Sequence, residues 1–341
     1  VLLRAPNNPM LAACWFAVLK TGAIVVATMP LLRARDLVPI ISKARINLAL
    51  CDTRLFQELH QAQRETTPFP IVQFDGADPG VTSADLNLRL RGKSDTFSCV
   101  ETARDDVALI AFTSGTTGTP KGTLHYHSDV LAMGATVGEH LFKLQADDVV
   151  IGSPPLAFTF GLGALLTFPL TAGASTVLLE SAPPPELVQA INQYQATVCA
   201  TAPTAYRAML RCMGNLALPN LRKCISAGEH LPLETFIHWR EKTGISIING
   251  LGTTEMLHMF IGAGGEDIRP GATGKALPGY EIRVLGTDNA PLPPGKSGRL
   301  AVRGPTGCKY LADARQREYV VNGWNITGDI CSLDTEGYVW Y

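Results

Sequence analysis

The sequence predicts an α/β protein: two α/β lobes with mostly parallel sheets, followed by a small antiparallel β-barrel-like subdomain. Three observations carry that prediction. Strand-length apolar runs alternate with amphipathic helical stretches over most of the chain, the rhythm of sheets with parallel pairs. From about Gly262 the texture changes to short alternating runs separated by Gly and Pro turns, as in antiparallel units. The 341 residues are 46% apolar, enough to build more than one core. The divisions expected are 1–147 for the first lobe, 148–265 for the second and 266–341 for the small β subdomain.

Val1-Leu2-Leu3 before Ala5-Pro6-Asn7 reads as a buried strand and its turn. A helix over Met10 to Thr21, a strand over Ala23 to Ala27, a helix over Arg33 to Ala44 and a strand over Asn47 to Cys51 follow from apolar spacing. Between Thr66 and Arg104 the Pro, Gly, Asp and Ser content predicts an irregular connection with one strand at Ile71 to Phe74. The rhythm then resumes with a strand over Val107 to Phe112 and a helix over Asp129 to Phe142 capped by Ser128. Further strands are expected at Ser175 to Leu179, Thr197 to Ala200 and Lys223 to Ser226, separated by helices at Pro185 to Tyr194 and Thr204 to Arg211. In the last region Glu281 to Leu285 and Gly298 to Arg303 have strand character.

With 29 basic against 30 acidic side chains, a net charge of −1 and no Lys/Arg block, the chain lacks the footprint of a nucleic-acid or anionic-membrane partner. A small anionic ligand stays open, because one local site suffices for it. The eight cysteines form no C-x-x-C pair and mostly sit among apolar neighbours, which predicts reduced core thiols and a cytoplasmic location. Val149 to Leu179 contains no charged residue, yet Pro154, Pro155, Pro169, Gly161, Gly163 and Gly173 break it up. A buried helix over Gly161 to Phe168, then a turn at Thr171-Ala172-Gly173, fits better than a membrane span. The chain opens on Val1 with no signal-peptide layout, as expected of a piece of a longer protein. His125 and His127 alternate as on one strand face, but no nearby third ligand supports zinc.

Directly after the Val107 strand comes Thr113-Ser114-Gly115-Thr116-Thr117-Gly118-Thr119-Pro120-Lys121-Gly122. Glycines let backbone N–H groups approach phosphate oxygens, hydroxyls donate further hydrogen bonds and Lys121 adds a compact positive charge. Pro120-Lys121-Gly122 stands where a Walker A loop requires Gly-Lys-Ser/Thr, which disfavours a P-loop kinase or ATPase.

This decapeptide resembles the nucleotide-binding signature of the adenylate-forming superfamily, which includes acyl-CoA and aryl-CoA ligases, luciferases and peptide-synthetase adenylation domains. Three further stretches resemble that family's motifs in family order: Asn249-Gly250-Leu251-Gly252-Thr253-Thr254-Glu255, the Gly271 to Gly279 linker, and Gly323-Trp324-Asn325-Ile326-Thr327-Gly328-Asp329. Pro155 to Gly163, Ser226 to Pro232 and Thr254 to His258 look like the benzoate-CoA ligase branch, in wording closest to 2-aminobenzoate (anthranilate) CoA ligases.

The resemblance implies ATP, Mg²⁺ and coenzyme A as ligands, the last as second substrate, with an aromatic carboxylate as the small-molecule partner. It implies that Thr113, Ser114, Gly115, Thr116, Thr117, Gly118 and Lys121 hold the β and γ phosphates, that Thr254 contacts the α-phosphate and that Glu255 binds Mg²⁺. Lys121, Thr254 and Glu255 would then serve the chemistry itself, in which two anions are brought together and the barrier is largely electrostatic. Adenine would lie against Ala227, Gly228 and Glu229 near Asn249, Gly250, Gly252 and Thr253, with Asp329 accepting from the ribose hydroxyls. Phe158, Thr159, Phe160 and Gly161 would wall the acyl pocket, Ala227 would leave room for a flat ring, and His258 with Met259 would close its end. If a helix begins near Thr253, Glu255 and His258 share a face. Taken singly, each residue has a plainer use: Asn249 and Asp329 as turn formers beside Gly, Glu255 at a helix start, His258 in the core.

Members of the family continue past the position of Tyr341 through a hinge into a small C-terminal domain carrying a lysine that assists adenylation. Neither Lys296 in its Pro-Gly turn nor Lys309 fits that role, so a truncated large domain with impaired activity is expected, with a homodimer as a candidate assembly. Two other readings stand beside this one. An acyl-CoA ligase or carrier-loading domain for another acid keeps the chemistry; a non-catalytic nucleotide-binding module abandons it, against the intact set Lys121, Glu255 and Asp329.

Overall fold

The computed structural model describes residues 1–76, 85–113 and 120–341. Ser114, Gly115, Thr116, Thr117 and Gly118, expected to cradle phosphate, lie outside the described residues. The chain divides into two compact units: Val1–Val130 with Pro155–Phe158 and Lys309–Asp313, and Leu131–Pro154 with Thr159–Cys308 and Ala314–Tyr341.

In the first unit β1 (Leu2–Arg4), β2 (Val26–Thr28), β3 (Ala49–Asp52) and β4 (Ile71–Phe74) form a parallel sheet in the order β2-β1-β3-β4. Helix Pro9–Lys20 starts cleanly because the Asn8 side chain accepts from the Leu11 N–H at 2.9 Å and Pro9 needs no partner at the first position. Helix Ala34–Ala44 turns Leu37, Ile40 and Ile41 onto the sheet, where they meet Leu2, Val26, Ala49 and Leu59. The turn into β2 leaves Val25 outside that strand but bonded to Ala108 and Ile110. Helices Phe56–Gln63 and Asp85–Leu90 add to the expected pattern, the second within the connection read as irregular. Both are short: the first buries only Leu59 and Ala62, and the second, at six residues, is too brief to show a helical period.

β5 (Val107–Thr113) pairs antiparallel with β6 (Lys121–Tyr126), so that Thr113 and Lys121 are ladder partners. The far edge of β6 is occupied by residues from late in the chain: Leu124 N–H donates to Lys309 O at 2.8 Å and Leu311 N–H to Gly122 O at 2.7 Å. Lys43 joins this corner, 2.7 Å from Asp313 and 3.4 Å from the Pro120 carbonyl. Of the two alternating histidines, only His125 lies on β6; His127 begins helix His127–Met133. The expected Ser128 cap is therefore corrected. Asp129 inside the first turn accepts the Tyr126 N–H at 2.9 Å and does the capping.

In the second unit β7 (Val149–Gly152), β8 (Ser175–Val177), β9 (Val198–Thr201), β10 (Lys223–Ser226), β11 (Ile247–Gly252), β12 (Met259–Ala263) and β13 (Lys275–Ala276) form one sheet. Its order is β13-β12-β11-β10-β9-β7-β8, parallel from β8 to β11 and antiparallel beyond. Helices Pro184–Gln193, Pro203–Cys212 and Leu233–Thr243 contribute Leu187, Ile191, Tyr206, Met209, Phe236 and Trp239 to a core against Ile151, Cys199 and Cys224. Much of the charge-free stretch is interior: Thr159–Leu162, a π-helical segment Gly163–Thr167 and Phe168–Ala172 run on as one rod, buried from Thr159 to Pro169 and stopped by Gly173 at φ 72°. No helix among the described residues is long and apolar enough to cross a membrane. The eight cysteines are free, and six of them are buried.

Asp148, just before β7, is buried and accepts from the Thr197 hydroxyl at 2.5 Å, the Gln145 N–H at 2.8 Å and Arg222 Nε at 2.9 Å. Burial is the largest influence on this carboxyl and pushes its pKa up, but the three hydrogen bonds together outweigh it and hold the pKa below the ordinary value. A depressed carboxyl contributes stability that is complete above its unfolded pKa, near 3.9, and is lost as pH falls through the folded value. Asp148→Asn is expected to lower stability at neutral pH and to flatten the loss below about pH 4. Thermal melts across that range check this; an unchanged acid slope contradicts it.

The last region forms a five-stranded antiparallel sheet: β14 (Glu281–Leu285), β15 (Gly298–Arg303), β16 (Val320–Val321), β17 (Trp324–Leu333) and β18 (Val339–Trp340). Asp329, read as a turn residue, lies within β17. Gly328 at φ 86° and a register shift opposite Arg299 and Ala301 make a bulge there, which is why the stretch looks like a turn in sequence.

Candidate active site

The parallel strands of the second unit end together. Ser226 and Asn249 are register partners on β10 and β11, and beyond them the backbone turns away at Ala227-Gly228, with Gly228 at φ 88°. In open α/β sheets this carboxyl edge is where ligands sit. A cavity of about 240 Å³ opens there, lined by Gly228, Glu229, Asn249, Gly250, Gly252 and Asp329, all six expected from the sequence. His230, Leu251, Thr273 and Tyr341 complete it and were not anticipated. Buried Ala227 stands beside it in sequence.

Asn249 Oδ1, Asp329 Oδ2 and Ser226 Oγ are buried without a hydrogen-bond partner among the described residues. Buried polar atoms in that state are rare and normally await a ligand or water. Two of the three belong to residues lining the cavity, and a ribosyl purine brings both donors and acceptors. Burial raises the pKa of the Tyr341 phenol, and the charge of the Asp329 carboxylate nearby raises it further. The carboxylate of Glu229 accepts from the Thr204 hydroxyl at 3.1 Å.

Just past β11, Thr253 caps a three-residue turn, Thr254–Met256, its hydroxyl accepting the Met256 N–H at 3.2 Å. Thr254 is buried and Glu255 half-buried. The turn does not continue: Leu257 takes φ 67°, and the chain enters β12. The helix face expected to carry Glu255 with His258 therefore does not form. His258 is instead 3% exposed among the rings of Phe142, Phe160 and Phe168, with the Phe168 centroid 4.8 Å away. Gly163 makes this seat possible, because a Cβ there would collide with the imidazole. The ring is 3.4 Å from the Phe160 carbonyl through Nε2, while Nδ1 is buried without a partner among the described residues. Burial pushes its pKa down to about 4, so the imidazole is neutral at pH 7.

Thr159, Phe160 and Gly161 are buried in the second unit beside this cluster, and Met259 follows His258 into β12. Phe158 belongs to the first unit and is 42% exposed. Thr113 and Lys121 also belong to the first unit, where the Lys121 ammonium stands 5.3 Å from the Tyr310 ring centroid. Glu255 alone supplies a carboxylate in the Thr254–Met256 turn, which suits a magnesium ion that keeps waters and takes its other ligands from phosphates.

Three residues escaped the sequence reading because their signals lie in other segments: Tyr319, whose hydroxyl is 3.4 Å from Thr253 Oγ1, and Tyr280 with Thr306, hydrogen-bonded to each other at 2.9 Å.

The profile described as AMP-binding enzyme matches residues 1–310. A benzoate–CoA ligase of Thauera aromatica is 34% identical over 271 residues, covering 77% of this chain and 51% of that protein. Among solved structures, an anthranilate CoA ligase, AuaEII, in complex with anthranoyl-AMP superposes with a TM-score of 0.94 at 30% identity, over 99% of this chain and 67% of that one. ATP-bound MatB from Rhodopseudomonas palustris gives 0.88 at 26% identity, over 99% of this chain and 67% of that one. The chain thus spans about half the length of the Thauera relative and about two thirds of each solved chain.

Proposed function

Because the chain belongs to the AMP-binding enzyme family, we propose that it serves ATP-dependent activation of an aromatic carboxylate of the benzoate or 2-aminobenzoate class, forming an acyl adenylate. The full-length protein then passes the acyl group to coenzyme A. One observation carries the reading most directly: a cavity at the carboxyl ends of β10 and β11 with two unpartnered buried polar atoms, Asn249 Oδ1 and Asp329 Oδ2, next to the Thr254–Glu255 turn.

In this reading Asp329 accepts from the ribose hydroxyls, Asn249 meets the purine edge and the backbone at Gly228 and Glu229 flanks the base. Thr254 contacts the α-phosphate, and Lys121 with the hydroxyl-rich sequence before it holds the β and γ phosphates. Glu255 holds magnesium, which when bound offsets phosphate charge while the carboxylate approaches phosphorus. The acid lies near Phe160, Ala227 and His258. A neutral imidazole offers the substrate a hydrogen bond and an aromatic edge rather than a positive charge, which suits a ring bearing an amino or hydroxyl group. The anthranilate ligase and benzoate ligase relatives support this substrate class. A cytoplasmic location and a homodimeric assembly remain part of the proposal.

Calorimetric titration with a non-hydrolysable ATP analogue and magnesium, followed by benzoate, 2-aminobenzoate, hydroxybenzoates and hexanoate, tests it. An aromatic acid should bind at least about tenfold more tightly than hexanoate. Nucleotide binding with a preference for the aliphatic acid sinks the aromatic assignment, and no nucleotide binding at all sinks the whole reading.

A further inference from the structure

The turn bearing Glu255 is three residues long, too short to hold itself, since a single 3₁₀ turn gains nothing from helix propagation. It is tied at both ends by side chains that flank the antiparallel sheet. At its start the Thr253 hydroxyl, which caps the turn, is 3.4 Å from the Tyr319 hydroxyl at the end of helix Gln316–Tyr319. At its end the Met256 carbonyl accepts from Thr306 Oγ1 at 2.9 Å, just past β15. Thr306 has one hydroxyl proton, and the carbonyl takes it; Tyr280, just before β14, must therefore be the donor in its 2.9 Å bond to Thr306. Tyr280, Thr306 and Met256 are all buried, so water is a poor substitute for any of these bonds.

We infer that Thr306, backed by Tyr280, and Tyr319 are positioning residues for Glu255, so that the antiparallel sheet sets the angle at which the turn presents its carboxylate to a metal-bound polyphosphate. The inference rests on the proposed role of Glu255 in holding magnesium. It asks nothing of these side chains beyond geometry: none is required to touch the nucleotide.

The test compares two affinities in each variant, ATP with magnesium and AMP without it, measured by calorimetry on the intact protein. Thr306→Val keeps the shape and removes the hydroxyl; Tyr319→Phe does the same on the other side and leaves the core filled; Thr306→Ser restores the bond. Loss of the 2.9 Å Thr306 bond should weaken magnesium-ATP binding about fivefold to tenfold in Thr306→Val, and loss of the longer 3.4 Å contact about threefold in Tyr319→Phe, with AMP affinity within about twofold and Thr306→Ser near the unmodified protein. A purely structural role would lower melting temperature while leaving the ratio of the two affinities unchanged, and that result overturns the inference. So does an unaltered ratio in Tyr319→Phe together with the serine variant behaving like valine. Failure of the unmodified protein to bind magnesium-ATP would instead overturn the parent reading of Glu255, an outcome visible before any variant is made.

Discussion

Replacing Glu255 by alanine is expected to abolish magnesium-dependent strengthening of ATP binding and to slow adenylate formation by the full-length enzyme about 10²- to 10³-fold. The magnitude is that of removing one preorganised electrostatic partner from a site where charge develops. Glu255 is half-buried on a turn fixed at both ends, so the alanine variant removes the carboxylate from a frame that otherwise stays in place. Pyrophosphate exchange measured with benzoate and 2-aminobenzoate gives the rate, and calorimetry with and without magnesium gives the binding change. Exchange at the unmodified rate would remove Glu255 from the mechanism.

The largest stability effect should come from a residue far from this chemistry. Arg4 at the end of β1 is only 1% exposed, yet its guanidinium donates to the carbonyls of Met29 at 2.9 Å, Pro30 at 3.0 Å and Leu32 at 2.8 Å. A weaker bond reaches the Leu55 carbonyl at 3.4 Å. The segment from Met29 to Leu32 leaves the sheet before helix Ala34–Ala44 and has few partners of its own among backbone groups, so one side chain organises the crossing. Arg4→Met fills most of the volume but leaves half-buried carbonyls without donors. About 3 kcal/mol or more should be lost. With a urea dependence near 3 kcal/mol per molar, the unfolding midpoint of this unit should fall by about 1 M. A shift under about 0.3 M would mean that water reaches those carbonyls and replaces the guanidinium.

Much of the scaffold was readable because burial and sequence period coincide. Lys223–Ser226, Glu281–Leu285 and Gly298–Arg303 occur as expected, and helix Ala34–Ala44 differs from expectation by one residue. The elements that escaped are those whose stability comes from partners elsewhere. β6 is short and begins at Lys121-Gly122 after Pro120, so little beyond the alternation of His125 and His127 marks it as a strand; β5 and the Lys309–Asp313 segment bond to its two edges. β17 was hidden by the bulge at Gly328.

The site divides in the same way. Asn249, Gly250, Gly252 and Asp329 could be placed together because they belong to ordered motifs, and they line one cavity. The shared helix face for Glu255 and His258 was wrong because sequence spacing assumes a continuing helix, and Leu257 at φ 67° ends it after one turn. Tyr280, Thr306 and Tyr319 carry no motif signature, and Thr273 sits in the Gly271 to Gly279 linker without any sign of a cavity role; their relevance comes from where distant segments bring them.

The late segment Lys309–Asp313 also governs how the molecule is made. It closes the open edge of β6 and brings Asp313 to Lys43, a pairing between residues 270 positions apart. During synthesis the amino-terminal unit emerges long before that segment does, and until then β6 presents unsatisfied N–H and C=O groups, a template for pairing with a neighbouring nascent chain. The pairing of β6 with Lys309–Asp313 is thus a contact that only a nearly finished chain can make, closing an edge that is exposed until then.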